Sequence, residues 1–131
     1  MAAPTTNADL ATYDVLTAVE IKRLGTAALD GETPPWKTRH DEAWAKTLQR
    51  LRVRNPSIEE SSVDDPTELS RACAYYVAYL GFRQQAGSPQ DLKRAAWYYD
   101  LWEREVEEVY LTIFGQETAA GGWGWRRAMR T

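Results

Sequence analysis

Histidine and cysteine are almost absent from this sequence, which holds one of each, His40 and Cys73. A nucleophile pair would need these two side chains to meet. Cys73 instead falls on an apolar helical stripe, which predicts a buried, inert thiol, and His40 is predicted to lie at the surface near a helix start. No P-loop, dinucleotide-binding, zinc-helix or calcium-loop pattern occurs. We therefore expect no enzyme activity, no cofactor and no metal site.

Three further features are missing. No uninterrupted apolar run approaches the roughly 20 residues that a membrane-spanning helix needs. The first residues lack a basic region and an apolar region, so we expect no secretory signal. Basic charge is not in excess, because 16 Lys and Arg face 19 Asp and Glu for a net charge of -3. That balance disfavours a protein that mainly wraps nucleic acid. The single cysteine fits a reducing compartment.

The composition is otherwise that of one folded domain. The chain has 131 residues, of which 44% are hydrophobic and 27% charged, close to globular averages. The aromatic residues are unusual, with 6 Trp and 7 Tyr but only 2 Phe. Trp and Tyr join an apolar body to a polar tip, and they are enriched where proteins meet partners.

Two helices are predicted in the first half of the chain. Apolar residues recur at helical spacing for about 20 residues from Asp9 and reach a glycine, Gly25 or Gly31, that favours a helix end. A loop with two consecutive prolines follows. The second helix is predicted from Thr38 to Arg54, and an acidic, polar loop follows it.

Two further helices are predicted in the second half. One begins at Asp65 and Pro66, a cap followed by a proline that suits the first helical turn, and it ends at Gly87. The other begins at Ser88 and runs for about 25 residues. Its apolar seam follows steps of three and four and consists of Leu92, Ala95, Tyr99, Trp102, Val106, Val109 and Ile113.

These helices predict an all-α fold. We expect a small bundle of about four helices with a long C-terminal helix and an extended C-terminal arm. The expected boundaries are a flexible lead over residues 1–8, a helical domain over 9–114 and the arm over 115–131.

A contact between subunits is predicted from the last helix. Trp97 and Leu101 lie off its seam, so one neighbouring helix would not cover them. Glu105 and Glu108 lie near its C-terminus, where negative charge opposes the helix dipole and a partner's cations would offset it. The candidate cations end the second helix and are Arg50, Arg52 and Arg54. The alternatives for these arginines are favourable placement at a helix C-terminus and a phosphate contact.

The C-terminal arm is glycine-rich and carries large and basic side chains. Trp and Arg are the residue types most enriched at binding hot spots. The arm is therefore predicted to bind a partner, with folding back onto its own domain as the alternative. Its candidate contact residues are Trp123, Trp125, Arg126, Arg127 and Arg130.

The second half resembles the head–tail adaptor (connector) proteins of tailed bacteriophages. The resemblance covers about residues 66–131 and rests on helix types: a DPTEL helix start, the aromatic helix RACAYYVAYLGFRQ, a Gly-Ser-Pro turn and the long helix DLKRAAWYYDLWEREVEEV. This chain departs from the family in its arm, where two tryptophans stand in place of acidic and glycine residues.

The resemblance implies a structural role in the virion neck. Such adaptors form a ring, usually of twelve copies, beneath the portal. The ring extends the DNA channel and carries the stopper or tail, and its arms reach the portal. DNA would pass without sequence-specific binding, no membrane would be involved, and assembly would take place in the host cytoplasm. The alternative is a small helical nucleic-acid-binding regulator that uses the basic stretch 46–54 and the arginines of the tail.

Overall fold

The computed structural model describes residues 3–58 and 66–112, and regular structure within these ranges is entirely helical. The all-α bundle is therefore confirmed, whereas the predicted arm lies outside the described residues. The helices are α1 (Asn7–Thr12), α2 (Ala18–Leu24), α3 (Ala27–Asp30), α4 (Lys37–Arg54), α5 (Ser70–Gln84) and α6 (Pro89–Tyr110), with a 3-10 helix over Pro66–Leu69 before α5.

The centre of the fold is an antiparallel hairpin of α5 and α6. A short turn joins them, and the Ser88 hydroxyl caps α6 by accepting from the Asp91 backbone N–H. Rings from the two helices meet edge to face, with centroids 4.8 Å apart for Tyr76 and Trp102 and 5.1 Å for Tyr79 and Tyr99. Such pairs add to the stabilisation from buried apolar area.

The long helix α4 packs against this hairpin and runs parallel to α6. Arg50 pairs with Glu103 at 3.3 Å, and Arg54, one turn later, pairs with Glu107. Both partners advance by four residues, which fixes the shared direction of the two helices. These pairs are partly exposed, so each contributes at most about 1 kcal/mol to stability.

The single long helix predicted from Asp9 is wrong, because this segment forms α1, α2 and α3. The helix first stops at Asp14, whose φ of 55° is left-handed and incompatible with a continuing helix. Thr17 then starts α2 through a capping box. The Thr17 hydroxyl accepts from the Glu20 N–H, and the Glu20 carboxylate accepts from the Thr17 N–H. Local capping therefore outweighed the apolar periodicity.

Part of the lead predicted over residues 1–8 packs with the helical domain. Thr5 is buried, and α1 already begins at Asn7. His40 was predicted to lie at the surface, and that prediction is wrong because its ring is 1% exposed. The ring lies between the Thr5 hydroxyl and the Asn7 side-chain oxygen, each 2.8 Å from one ring nitrogen.

The seam predicted on α6 is confirmed at Ala95, Trp102 and Val106, which are buried, and is wrong at Leu92 and Tyr99. Leu92 is exposed and Tyr99 is half-buried, whereas Tyr98 is buried and donates a hydrogen bond to the Val15 carbonyl at 2.6 Å. Tyr98 is buried because α6 also covers the turn between α1 and α2. The buried set is Asp91, Ala95, Tyr98, Trp102, Val106 and Tyr110.

Candidate functional site

The first candidate contact surface, called the Trp97 flank, consists of Trp97, Leu101, Glu105 and Glu108. Steps of four, four and three residues place these positions along one side of a helix. Trp97 is 55% exposed, although its ring lies 4.9 Å from that of Tyr98. Leu101 is half-buried against the core. An indole exposed to this extent leaves a large apolar surface in water.

A groove of about 490 Å³ adjoins Trp97, where the turn between α1 and α2 meets α6. Its apolar lining includes the buried side chains of Val15, Leu16 and Tyr98. At its side, Arg94 pairs with Glu20 at 2.7 Å. The groove extends the apolar area around Trp97 beyond the helix itself.

The acidic end of the Trp97 flank is only partly compensated within the chain. Burial raises the pKa of Glu105, the nearby Arg71 opposes that rise, and Glu108 adds to it. Glu108 itself is exposed. An approaching cation would relieve this repulsion, which is the reason for placing these glutamates in a contact surface.

Two of the three predicted arginines meet carboxylates of their own chain, and the third meets a backbone carbonyl. Arg50 and Arg54 form the pairs with Glu103 and Glu107 described above, and the Arg54 guanidinium also lies 4.7 Å from the Tyr110 ring centroid. Arg52 donates from Nε to the Ile58 carbonyl at 2.7 Å. A salt bridge between subunits through these arginines stays a prediction, and it would have to be added to these internal contacts.

A second groove, the α4–α6 groove, lies beside these arginines and has a volume of about 230 Å³. Its lining includes Tyr76, Tyr99 and Trp102, whose rings pack together at centroid distances of 4.8 to 6.4 Å. The residues that α4 contributes are Lys46, Gln49, Arg50 and Val53. Sequence reasoning missed this groove. The available signal was that these four positions are spaced i, i+3, i+4 and i+7 along one helical face.

Arg39 is a buried cation that sequence reasoning did not single out. It is 1% exposed, and it donates from Nη1 to the Leu24 carbonyl at 2.7 Å and from Nε to Gln84 at 3.0 Å. Its guanidinium stacks 4.5 Å from the Trp36 ring centroid. Burial lowers its pKa, and the charges of Asp30 and Glu32 oppose that change. These contacts join α2, α4 and α5, which gives Arg39 a structural role.

Cys73 lies where the sequence placed it, buried in the core. Burial raises the pKa of its thiol to about 12, and its sulfur donates to the Thr47 hydroxyl at 3.7 Å.

Within residues 3–58 and 66–112, no three His, Cys, Asp or Glu side chains converge as metal ligands would. None of the helices described combines the length and apolar character needed to cross a bilayer.

The arm residues predicted to bind a partner lie outside the part of the chain that the structure describes. They are Trp123, Trp125, Arg126, Arg127 and Arg130.

No protein-family model, curated protein or solved structure matches the chain.

Proposed function

We propose that this protein is a structural subunit of a homo-oligomeric ring, a head–tail adaptor of a tailed-bacteriophage particle. The observation that carries the proposal is the exposed Trp97 on the long last helix, flanked by an apolar groove and by two glutamates. Large exposed aromatic side chains surrounded by polar residues are typical of protein–protein contacts. The resemblance of residues 66–131 to adaptor proteins supplies the biological setting.

A ring needs a subunit with two different surfaces that fit each other. The placement of the helices around α6 supports this requirement. Glu103 and Glu107 face α4, while Leu101 and Glu105 belong to the Trp97 flank. A two-residue step turns a helix by about 200°, so these pairs point to opposite sides of α6. One side of α6 therefore carries Leu101 and Glu105, and the other faces the basic end of α4.

In the particle, the ring would lie in the neck between capsid and tail, after assembly in the host cytoplasm. It would extend the DNA channel beneath the portal and bind the stopper or tail proteins on its other side. The arm over 115–131 would bind the portal through Trp123, Trp125, Arg126, Arg127 and Arg130. DNA would pass through the channel without sequence-specific contacts.

Two ion pairs weigh against the alternative of a nucleic-acid-binding regulator. Its basic stretch 46–54 includes Arg50 and Arg54, whose charges are already paired with Glu103 and Glu107. Phosphate binding by these side chains would have to break the two pairs. Salt-dependent binding of DNA by the isolated protein would support the regulator instead.

Ring formation is tested by Trp97→Ala, with Val19→Ala as the matched control. Val19 is 77% exposed on α2, so its truncation removes exposed apolar surface away from the Trp97 flank. We expect both variants to keep the helicity of the wild type by circular dichroism. Only Trp97→Ala should abolish rings in electron micrographs and incorporation into particles. Normal assembly of Trp97→Ala would contradict the proposal.

A further inference from the structure

We propose that the α4–α6 groove is the receptor for the Trp97 flank of a second copy of this chain. The inference rests on the proposed ring and names the surface that completes each contact. In this arrangement Trp97 of one copy lies against Tyr99 and Lys46 of the next. Three observations support it: the heights of the two surfaces, their chemistry and their charge.

The two surfaces lie at nearly the same height along α6. Trp97 and Tyr99 are two residues apart, a rise of about 3 Å at 1.5 Å per residue. On α4, the pair of Arg50 with Glu103 sets the level, so Lys46 lies level with Tyr99 and Gln49 with Trp102. If the ring axis runs along α6, a contact between sites of equal height relates neighbours by rotation with little translation along that axis. Such a contact closes into a ring, whereas a large translation would produce an open filament.

The chemistry of the groove suits an aromatic side chain. Tyr76 and Trp102 are buried at its base, and Tyr99 is half-buried at its side. An incoming indole would therefore meet ring edges and faces, a geometry that stabilises aromatic pairs beyond the area they bury. Val53, 69% exposed at one end of the groove, would be covered by the same contact.

Charge complementarity follows the same alignment. Lys46 is exposed at the groove, and within the described residues it has no carboxylate at ion-pair distance. Arg54 lies level with Glu107 and so close in height to Glu108, which is exposed at the edge of the Trp97 flank and lines a surface cavity with Arg50 and Arg104 of its own chain. Bringing the two flanks together would place Glu108 of one copy near the basic end of α4 in the next.

Disulfide trapping between two singly substituted copies tests this contact. Gln49→Cys places a thiol in the groove. Arg104→Cys places one on α6 seven residues after Trp97, and therefore on nearly the same side of the helix. Arg104 and Trp102 differ in height by about 3 Å, so the two thiols should meet across the contact. The native Cys73 is buried and should not react. The full-length variants are mixed and oxidised, with Lys22→Cys, exposed on α2, replacing Gln49→Cys as the matched control.

We expect a disulfide-linked dimer in the mixture of Gln49→Cys with Arg104→Cys, at least tenfold more abundant than in the Lys22→Cys control. The yield should fall to the control level when Trp97→Ala is added to the Arg104→Cys copy. Dimers of Arg104→Cys alone, or no dimer above the control, would overturn the groove assignment.

The outcomes also separate this inference from the proposed function. Rings or particles that form without the Gln49–Arg104 link would refute the groove and leave the adaptor role intact. The link in open chains that never close, or in a protein that never joins a particle, would support the groove and refute the adaptor.

Discussion

Acidification should destabilise this protein through its only histidine. Burial of His40 lowers the pKa of its ring from 6.5 to about 4, the charges of Asp9 and Asp41 oppose that change, and Arg39 adds to it. The unfolded chain then binds a proton near pH 6.5, whereas the folded protein binds it only near pH 4. The contribution of His40 to the free energy of unfolding is therefore fully present above pH 6.5 and is lost as the pH drops from 6.5 towards 4. Below pH 4 this contribution changes no further.

The size of the effect follows from the two pKa values. Their separation corresponds to about 3 kcal/mol for the whole titration, at 1.36 kcal/mol per pKa unit. Between pH 7.5 and pH 5, the imidazole should lower the free energy of unfolding by about 2 kcal/mol. That is a large fraction of the 5–15 kcal/mol typical of a domain. The cause is burial, because the ring is 1% exposed and its charged form would lose the hydration that it has in the unfolded chain.

Urea unfolding at pH 7.5 and pH 5 measures this effect, and His40→Gln is the control. Glutamine does not titrate, so the difference between the two proteins removes the contributions of carboxylates such as Glu105, whose raised pKa acts in the opposite direction. The imidazole resonances of the native protein give a second readout, since the chain has one histidine. A native titration midpoint near 6.5, or equal pH dependence of wild type and His40→Gln, would refute the reasoning.

Two further predictions concern Arg39 and the arm. Arg39→Met should lower the free energy of unfolding in urea by about 1–3 kcal/mol, because it leaves the Leu24 carbonyl and Gln84 without their donor. Lys22→Met on the exposed face of α2 should change it by less than about 0.5 kcal/mol, and equal losses would contradict the structural role. Removal of residues 116–131 should leave a folded helical domain by circular dichroism that no longer binds its portal partner in a pull-down. Full binding by the truncated protein would exclude the arm as the contact, and unfolding would place it in the core.

The fold was easier to predict than the candidate site, and particular residues show why. The start of α6 was predicted from Ser88 and Pro89, since capping is a local property of the chain. The division of the first segment into three helices was missed. Its apolar residues recur at helical spacing across the whole segment, and this pattern hides the capping box of Thr17 and Glu20. His40 could not be predicted, because its burial depends on Thr5, which is 35 residues away.

The candidate site depends on such distant contacts even more strongly. Trp97 and Leu101 were predicted from spacing alone, because a helix face can be read from the sequence. The α4–α6 groove needs α4 and α6 to be parallel neighbours, and that arrangement is a tertiary property. Arg50 and Arg54 were predicted as cations for a neighbour, but the packing gives them partners in the same chain.

The hydrogen bond from Tyr98 to the Val15 carbonyl has a consequence for the order of folding during synthesis. It joins residues 83 positions apart, and the pair of Arg23 with Asp91 spans 68. The first half therefore leaves the ribosome well before the helices that cover it. The Val15 carbonyl therefore lacks the Tyr98 hydroxyl until α6 is made, whereas a short turn joins α5 to α6. We expect the hairpin to form first and α1 to α4 to dock onto it afterwards.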